Sequence, residues 1–250
     1  MKPLLPTCLI AATSFAACSS SDTPTEADYD DVAQALTATV VTDSDGGEVG
    51  AMVDATSVAH GDGKIALKLD ASGKFTGNHL GLDYNYTAKC SDAEGKAQDT
   101  CDKTSDKADV AVNWSGDLKL PHLSAAVKRE GNWQLTGLQT DKVTFAGDSE
   151  FDLDTEMQSL FRTATRTYHV SYSANYDSVV LDRSEHAVTG GKVTYSINAE
   201  RTASGPRRES EAQFDIDGVL EFKADGTASL TLDKSHSYKV NVVTGDLAKD

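Results

Sequence analysis

The sequence predicts a mainly β fold, an antiparallel meander of about ten strands preceded by one or two N-terminal helices. Apolar residues recur about every four positions before residue 63 and at every second position from Lys64 to the C-terminus, and these are the spacings of a helix face and of a strand face. Polar turn residues separate the alternating runs at short intervals, which favours strands paired in chain order. A curved sheet, a barrel and a sandwich all satisfy this pattern.

The first helix is predicted from its opening residues. Thr23 is placed as the N-cap, Pro24 takes the first helical position, and Glu26 completes a capping box. An apolar stripe follows, formed by Val32, Ala33, Leu36 and Val40. A stripe with this spacing needs a surface to pack on.

A second, shorter helix is predicted from Glu48 to Ala59. The polar and glycine residues at 43–47 end the first helix, and the glycine-containing run at 60–63 ends the second. The apolar residues of this second helix are Val49, Met52, Val53 and Val58.

The clearest strands are at 168–174 and 193–200, where apolar or aromatic residues alternate strictly with polar ones. Further strands are predicted around 65–69, 82–88, 110–114, 143–145, 214–216, 220–222, 230–232 and 238–242. Asp225-Gly226 predicts a hairpin with a type I′ turn, since both residue types tolerate a positive φ. Gly190-Gly191 is a second candidate turn.

The N-terminus has the features of an export signal that ends in a lipid-attachment cysteine. Lys2 is followed by an apolar run too short to span a bilayer as a permanent helix. Phe15-Ala16-Ala17-Cys18 resembles the lipobox of bacterial lipoproteins. This resemblance implies cleavage before Cys18, acylation of that cysteine with palmitate, and a membrane anchor. The serine at position 19 is similar to that of lipoproteins sent on to the outer membrane, on either of its faces.

An ordinary signal-peptidase cut after Ala16 is the alternative, and it would release an exported protein with a free thiol. The number of cysteines helps to distinguish the two cleavage sites. Cys8 is removed with the signal peptide, which leaves an odd number of cysteines in the mature chain. Acylation of Cys18 removes the odd one. The predicted organisation is a signal peptide at 1–17, a lipidated tether at 18–22, a helical segment at 23–62 and an antiparallel β domain at 63–250.

Cys90 and Cys101 are predicted to form a disulfide. They enclose a polar stretch that contains a glycine and has the composition of a tip between two strands. A disulfide is the default for such a pair in an oxidising compartment, and closing so short a loop contributes about 2–3 kcal/mol in the chain-entropy model. The spacing matches neither a zinc site nor a CxxC redox pair.

The charge of the chain excludes some partners. The formal net charge is −16 at pH 7, which argues against nucleic acid and against electrostatic docking on anionic lipid, because both would repel the protein. Membrane attachment would then depend on the acyl chains.

No catalytic motif stands out in the sequence. It has no nucleophile elbow, HExxH sequence, phosphate loop or dinucleotide-binding glycine pattern. Ser184-Glu185-His186 contains the residue types of a hydrolytic triad, but adjacent residues point in different directions. Acidic residues at 43, 45 and 48 resemble a calcium loop only in composition, without the spacing of an EF-hand. We therefore predict no enzyme, no catalytic residue, no cofactor and no metal site.

The histidines are scattered along the chain, and His169, which falls on the polar face of its strand, is taken as solvated. The six are His60, His79, His122, His169, His186 and His236. Aromatic residues at alternate strand positions are predicted to form the core, although a closed sheet would let them line a ligand cavity. They are Trp114, Trp133, Tyr84, Tyr86, Tyr168, Tyr172, Tyr176 and Tyr195.

Two functions fit these observations. The first is a non-enzymatic envelope lipoprotein with a structural or interaction role, whose envelope protein partner the sequence does not identify. The alternative is a lipocalin-like carrier that holds an apolar ligand close to the membrane. No ligand-binding residue is assigned for either function, and a hydrolase has no support beyond scattered serine, histidine and aspartate residues.

Overall fold

The structure, a computed structural model, describes residues 22–40, 47–61, 68–69, 74–79, 82–120, 123–158, 161, 165–205 and 208–250. Two helices come first in the chain, α1 (Glu26–Val40) and α2 (Glu48–His60). The predictions that concern the signal peptide, Cys18 and the acidic residues at 43 and 45 lie outside the described residues.

Twelve strands follow in the described part of the chain. They are β1 (Lys68–Leu69), β2 (Phe75–His79), β3 (Leu82–Ser91), β4 (Lys107–Leu120), β5 (Leu123–Thr136), β6 (Lys142–Gln158), β7 (Thr165–Asp182), β8 (Ala187–Gly205), β9 (Arg208–Phe222), β10 (Thr227–Leu232), β11 (His236–Asn241) and β12 (Leu247–Lys249). They form one sheet in which the spatial order is the chain order and every neighbouring pair is antiparallel. The predicted meander is therefore confirmed.

The sheet is curved and unclosed, so the barrel and the sandwich are both wrong. Its outermost strands differ greatly in length from the central ones, because β1 has two residues and β12 has three, whereas β8 has nineteen. A closed barrel needs its first and last strands to pair along their length. Here the N-terminal helices cover the apolar face instead.

The first helix begins two residues later than the sequence predicts. Thr25 precedes the helix, and its amide and hydroxyl both donate to the Asp28 carboxylate, at 2.8 and 2.7 Å. The amide of Asp28 donates back to the Thr25 carbonyl. Thr25 and Asp28 thus replace Thr23 and Glu26 at the start of the helix, which leaves Glu26 to contact the sheet through His236.

The second helix is confirmed. It runs from Glu48 to His60 and is capped by Gly61, whose φ of 70° is the left-handed conformation that glycine adopts at low cost. A Cβ at this position would lie 2.9 Å from the Cys101 carbonyl oxygen. The end of the helix is therefore in close contact with the loop that the disulfide closes.

The predicted Cys90–Cys101 disulfide is present in the structure. The two Cα atoms are 5.3 Å apart, which is an ordinary separation for a disulfide. The loop lies between β3 and β4 at one end of the sheet. Turns between β5 and β6, β7 and β8, and β9 and β10 lie at the same end, which we name the disulfide end.

Both predicted glycine turns need correction. Gly190 and Gly191 lie inside β8, at an irregularity of its pairing with β7, and the turn falls at the residues before Ala187. Gly191 is required there because a Cβ would lie 2.3 Å from the Ser178 carbonyl oxygen. The hairpin at Asp225-Gly226 exists, but only the glycine of that pair has a positive φ, so the turn is not type I′.

The core is one continuous apolar cluster between the helices and the sheet. Side chains alternate between buried and exposed along the strands, and the predicted stripe of α1 is buried throughout. All eight aromatic residues named from the sequence are buried, with exposures of 6% or less. They are core residues. Seven ring pairs among these residues, Phe145 and Phe151 are edge-on or stacked.

Candidate functional site

The most unusual feature of the interior is a buried ion pair between α2 and the middle of the sheet. The Arg129 guanidinium on β5 donates to Glu48 Oε1 at 3.1 Å, and the two side chains are only 2% and 3% exposed. The hydroxyl of Tyr195 on β8 donates to the other carboxylate oxygen at 3.3 Å. Glu48 is therefore bound to two strands of the sheet through both of its oxygens.

Aromatic rings enclose the guanidinium of this pair. Its central carbon lies 4.8 Å from the centre of the Trp133 ring and 5.7 Å from that of Trp114, distances at which a cation is attracted to the ring face. Tyr176 accepts a further hydrogen bond from Arg129. These contacts replace part of the hydration that Arg129 gives up on burial.

Burial raises the pKa of Glu48, while Arg129 and the Tyr195 hydroxyl act in the opposite direction. A protonated Glu48 would leave the guanidinium without an anion, and an arginine does not release its proton in this range. Burial also raises the pKa of Tyr195 well above its ordinary value. Both charged side chains are almost completely buried beside the apolar cluster, so the geometry of the pair fits a structural role better than proton transfer.

A second ionic cluster joins the start of α1 to the ends of β7 and β8. Asp28 accepts hydrogen bonds from Arg166 and Arg201, and Asp31 lies 3.1 Å from Arg166. The Tyr168 hydroxyl donates to Asp31 at 2.8 Å. Burial acts to raise the pKa of Asp28, but the hydrogen bonds from Thr25 and Arg201 outweigh it and hold that pKa below its ordinary value.

A third set of polar contacts holds α1 against the last strands. Asp30 accepts from the Tyr238 hydroxyl at 3.0 Å and from the Lys249 ammonium at 2.6 Å. Tyr29 stacks on His236, with ring centres 3.6 Å apart. Both helices are therefore fixed to the apolar face of the sheet by carboxylates of the helices and cations or phenols of the strands.

The opposite, solvent-exposed face of the sheet carries an open groove across β3 to β6. One part has a volume of about 550 Å³ and the adjoining part about 350 Å³. Thr87, Ala111 and Asn132 line both parts, so the two form one groove. The groove lies in the half of the sheet nearer the disulfide end, since β3 ends at Ser91 and β4 begins at Lys107.

The lining of this groove is polar but only partly charged. Amide side chains from three strands line it, namely Asn85, Asn113, Asn132 and Gln134. The small side chain of Ala111 lies in the row between Thr87 and Asn132 and leaves space there. Amides donate and accept hydrogen bonds, so this surface suits a polar partner. Charged side chains of both signs also line the groove, namely Lys74, Lys89, Asp109, Glu130 and Asp148.

A smaller cleft brings part of the Ser184-Glu185-His186 run close to α2. Ser184, His186, Asp141 and Ser57 line it, with a volume of about 280 Å³. The Ser184 hydroxyl donates to Asp182, and the Ser57 hydroxyl donates to the carbonyl of Val53 within its own helix. Neither serine is hydrogen-bonded to the histidine, so the run is a polar turn.

The other residues singled out from the sequence are not brought together. His169 lies on the exposed face, as predicted, 2.6 Å from Asp154. Glu48 is paired with Arg129, which rules out its role in a calcium loop. Among the described residues, no group of three or more histidine, cysteine or acidic side chains is arranged to hold a metal ion.

The ion pair itself was missed in the sequence, although a signal was present. Arg129 falls in phase with Val127, Trp133 and Leu135, which are all buried, and a charged residue in that phase must face the core. The position of Glu48 beside the apolar Val49 was a weaker signal. Which acid would meet which base was beyond the sequence, because the pair is separated by 81 residues.

Neither helix in the described ranges is long and apolar enough to cross a membrane. The chain matches no protein-family model, no curated protein and no solved structure in comparisons with each.

Proposed function

We propose that this protein is a non-catalytic lipoprotein of the bacterial envelope, held to the outer membrane by acylated Cys18, whose sheet is a rigid platform for an interaction with an envelope partner. The observation that carries the interaction role is the occupied apolar face of the sheet. Helices α1 and α2 lie on that face and are fixed by buried ion pairs. The solvent-exposed face, with its polar groove, is what a partner can reach.

The carrier alternative is less well supported. A lipocalin-like ligand would need the space that aromatic side chains and the two helices occupy. To admit such a ligand, α2 would have to move away and separate Glu48 from Arg129, both buried. Breaking a buried pair without replacing its partners costs about 3–5 kcal/mol, so the ligand would have to supply that free energy.

The lipid anchor is tested by labelling growing cells with radioactive palmitate. We expect the wild-type chain and Cys8→Ala to be labelled, because Cys8 leaves with the signal peptide, and Cys18→Ala to be unlabelled. Label that persists in Cys18→Ala would refute the anchor.

The interaction role is tested by placing a photo-crosslinking amino acid at Asn132 in the groove. The matched control is Ser173, which is exposed on the same face of β7 outside the groove. We expect a discrete cross-linked product from the groove position and none from the control. Equal products from both positions would refute a specific role for the groove.

Mass spectrometry of the gently extracted protein separates the two candidate functions. We expect no stoichiometric apolar molecule other than the acyl chains on Cys18. A retained lipid in equal amount to the protein would favour the carrier instead.

A further inference from the structure

The chain that would lead to the lipid anchor is fixed to the edge of one strand. The backbone amide of Asp22 donates to the Gln213 carbonyl at 2.6 Å, and the Gln213 amide donates to the Asp22 carboxylate at 3.2 Å. This edge of β9 is open at Gln213, because β10 pairs only with Gly218–Phe222. Asp22 therefore occupies a defined place on the sheet.

The distance from this place to the anchor is short. Cys18 precedes Asp22 by four residues, and a fully extended chain spans at most about 3.6 Å per residue, or about 14 Å in all. An acyl chain on Cys18 must enter the bilayer within that distance of the Asp22 position, apart from the length of the lipid headgroup itself.

The two ends of the sheet differ in whether the anchor can reach them. We name the end where β8 joins β9 the hairpin end. Gln213 lies five residues from the start of β9 at Arg208 and nine residues from its last residue, Phe222. At about 3.3 Å per residue, the hairpin end is about 17 Å away and the disulfide end about 30 Å away. A tether of about 14 Å falls about 3 Å short of the hairpin end, a gap that the lipid headgroup can close, but about 16 Å short of the disulfide end. The tether therefore favours a bilayer at the hairpin end.

We propose that the protein stands on the bilayer with the hairpin end of its sheet toward the lipid headgroups and the disulfide end toward the aqueous compartment. The polar groove, in the half nearer the disulfide end, then faces away from the membrane, where an envelope partner can reach it. This inference rests on the proposed acylation of Cys18.

The test uses a single thiol label on the acylated full-length product. The native thiols are consumed by the disulfide and by acylation, so a new cysteine is the only free one. Thr202→Cys places the label on β8 near the hairpin end, and Glu185→Cys is the matched control in an exposed turn at the disulfide end. Thr202 is about 50 Å along β8 from Ala187, the first residue of the strand after the turn that holds Glu185.

Each labelled protein is reconstituted into vesicles of phosphatidylethanolamine and phosphatidylglycerol that carry a headgroup spin label as quencher. We expect the fluorophore at Thr202→Cys to be quenched several-fold more than the one at Glu185→Cys. Equal quenching at both positions, which a sheet lying flat would give, or stronger quenching at Glu185→Cys would overturn the orientation.

Flotation of the vesicles separates failure of this inference from failure of the anchor. A protein that is not acylated does not float with the vesicles, and its free Cys18 takes up a second label. A protein that floats but shows the wrong quenching pattern keeps its anchor and loses the proposed orientation.

Discussion

Removing the buried cation of the central ion pair should strongly destabilise the fold. In Arg129→Met the Glu48 carboxylate stays buried at 3% side-chain exposure and loses its partner at 3.1 Å. At an effective dielectric constant of about 20, two unit charges at that distance attract by about 5 kcal/mol. Desolvation offsets part of this attraction in the wild type, and breaking such a pair typically costs about 3–5 kcal/mol. We expect a loss in that range.

The matching change, Glu48→Gln, leaves the guanidinium without an anion and should cost a similar amount. The double variant should lose far less than the two single losses added together, because no uncompensated charge remains in it. The difference between the summed single effects and the double effect is the coupling energy of the pair.

The measurement is urea unfolding followed by tryptophan fluorescence, which reports on this site because both tryptophans flank Arg129. Lys128→Met is the matched control, since Lys128 is the preceding residue, its side chain is 60% exposed, and it pairs with exposed Glu130. It should leave the free energy of unfolding almost unchanged, because an exposed ion pair contributes little to stability. A loss of less than about 1 kcal/mol in Arg129→Met, or additive single effects, would refute the reasoning.

The effect of Arg129→Met should also depend on pH. Burial raises the pKa of Glu48 above its ordinary 4.5, and loss of the guanidinium removes an opposing influence. The folded variant then holds a proton on Glu48 at a pH where the unfolded chain has released it, so its stability falls as pH rises above 4.5. We expect the deficit at neutral pH to shrink as the pH is lowered toward 4.5. A deficit that is constant with pH would show that the carboxylate is not its cause.

Three further predictions concern the frame around this pair. Gly191→Ala should lower the free energy of unfolding by about 1–3 kcal/mol, because φ is +95° and the new Cβ would lie 2.3 Å from the Ser178 carbonyl oxygen. The control is Gly190→Ala, which has open space around its Cβ and should be nearly neutral in the same urea titration. Equal losses of stability in the two variants would contradict the steric argument. The double change of Cys90 and Cys101 to serine should lower the free energy of unfolding by about 2–3 kcal/mol. A mass determination of the wild type without reductant checks that its disulfide is formed. An unchanged urea midpoint in the double variant would show that other contacts hold the loop. In an alkaline titration at the tyrosinate absorbance, five buried tyrosines should remain protonated past the ordinary value of 10, since the pKa of each is raised and that of Tyr29 is about 12. The five are Tyr29, Tyr86, Tyr168, Tyr172 and Tyr195. These tyrosines ionise at lower pH in the unfolded chain than in the folded protein, so stability should fall as pH rises through 10. The expectation is contradicted if all eight tyrosines ionise together near pH 10 while the circular dichroism remains native.

The spacing of apolar residues predicted the strands and helices correctly wherever the conformation of a residue depends mainly on its neighbours in sequence. The alternation at 168–174 and 193–200 placed Tyr172 and Tyr195 in the core, and both are buried. The same local reasoning failed at Gly190-Gly191, because the need for glycine there comes from the neighbouring strand and not from a turn. It also placed the helix cap at Thr23, whereas the helix begins where Asp28 can meet both Thr25 and the arginines of the sheet.

Local sequence patterns are enough to predict an antiparallel meander with helices at its N-terminus and a disulfide between Cys90 and Cys101. These features follow from the spacing of apolar residues and from a short loop, which are local properties of the chain. The open sheet and the helices on its apolar face, by contrast, arise from contacts made in the folded chain. The same holds for the pairing of Glu48 with Arg129 and for the position of Asp22 at Gln213. Those contacts join residues far apart in sequence, and their free energy depends on a burial and a geometry that exist only after the chain has folded.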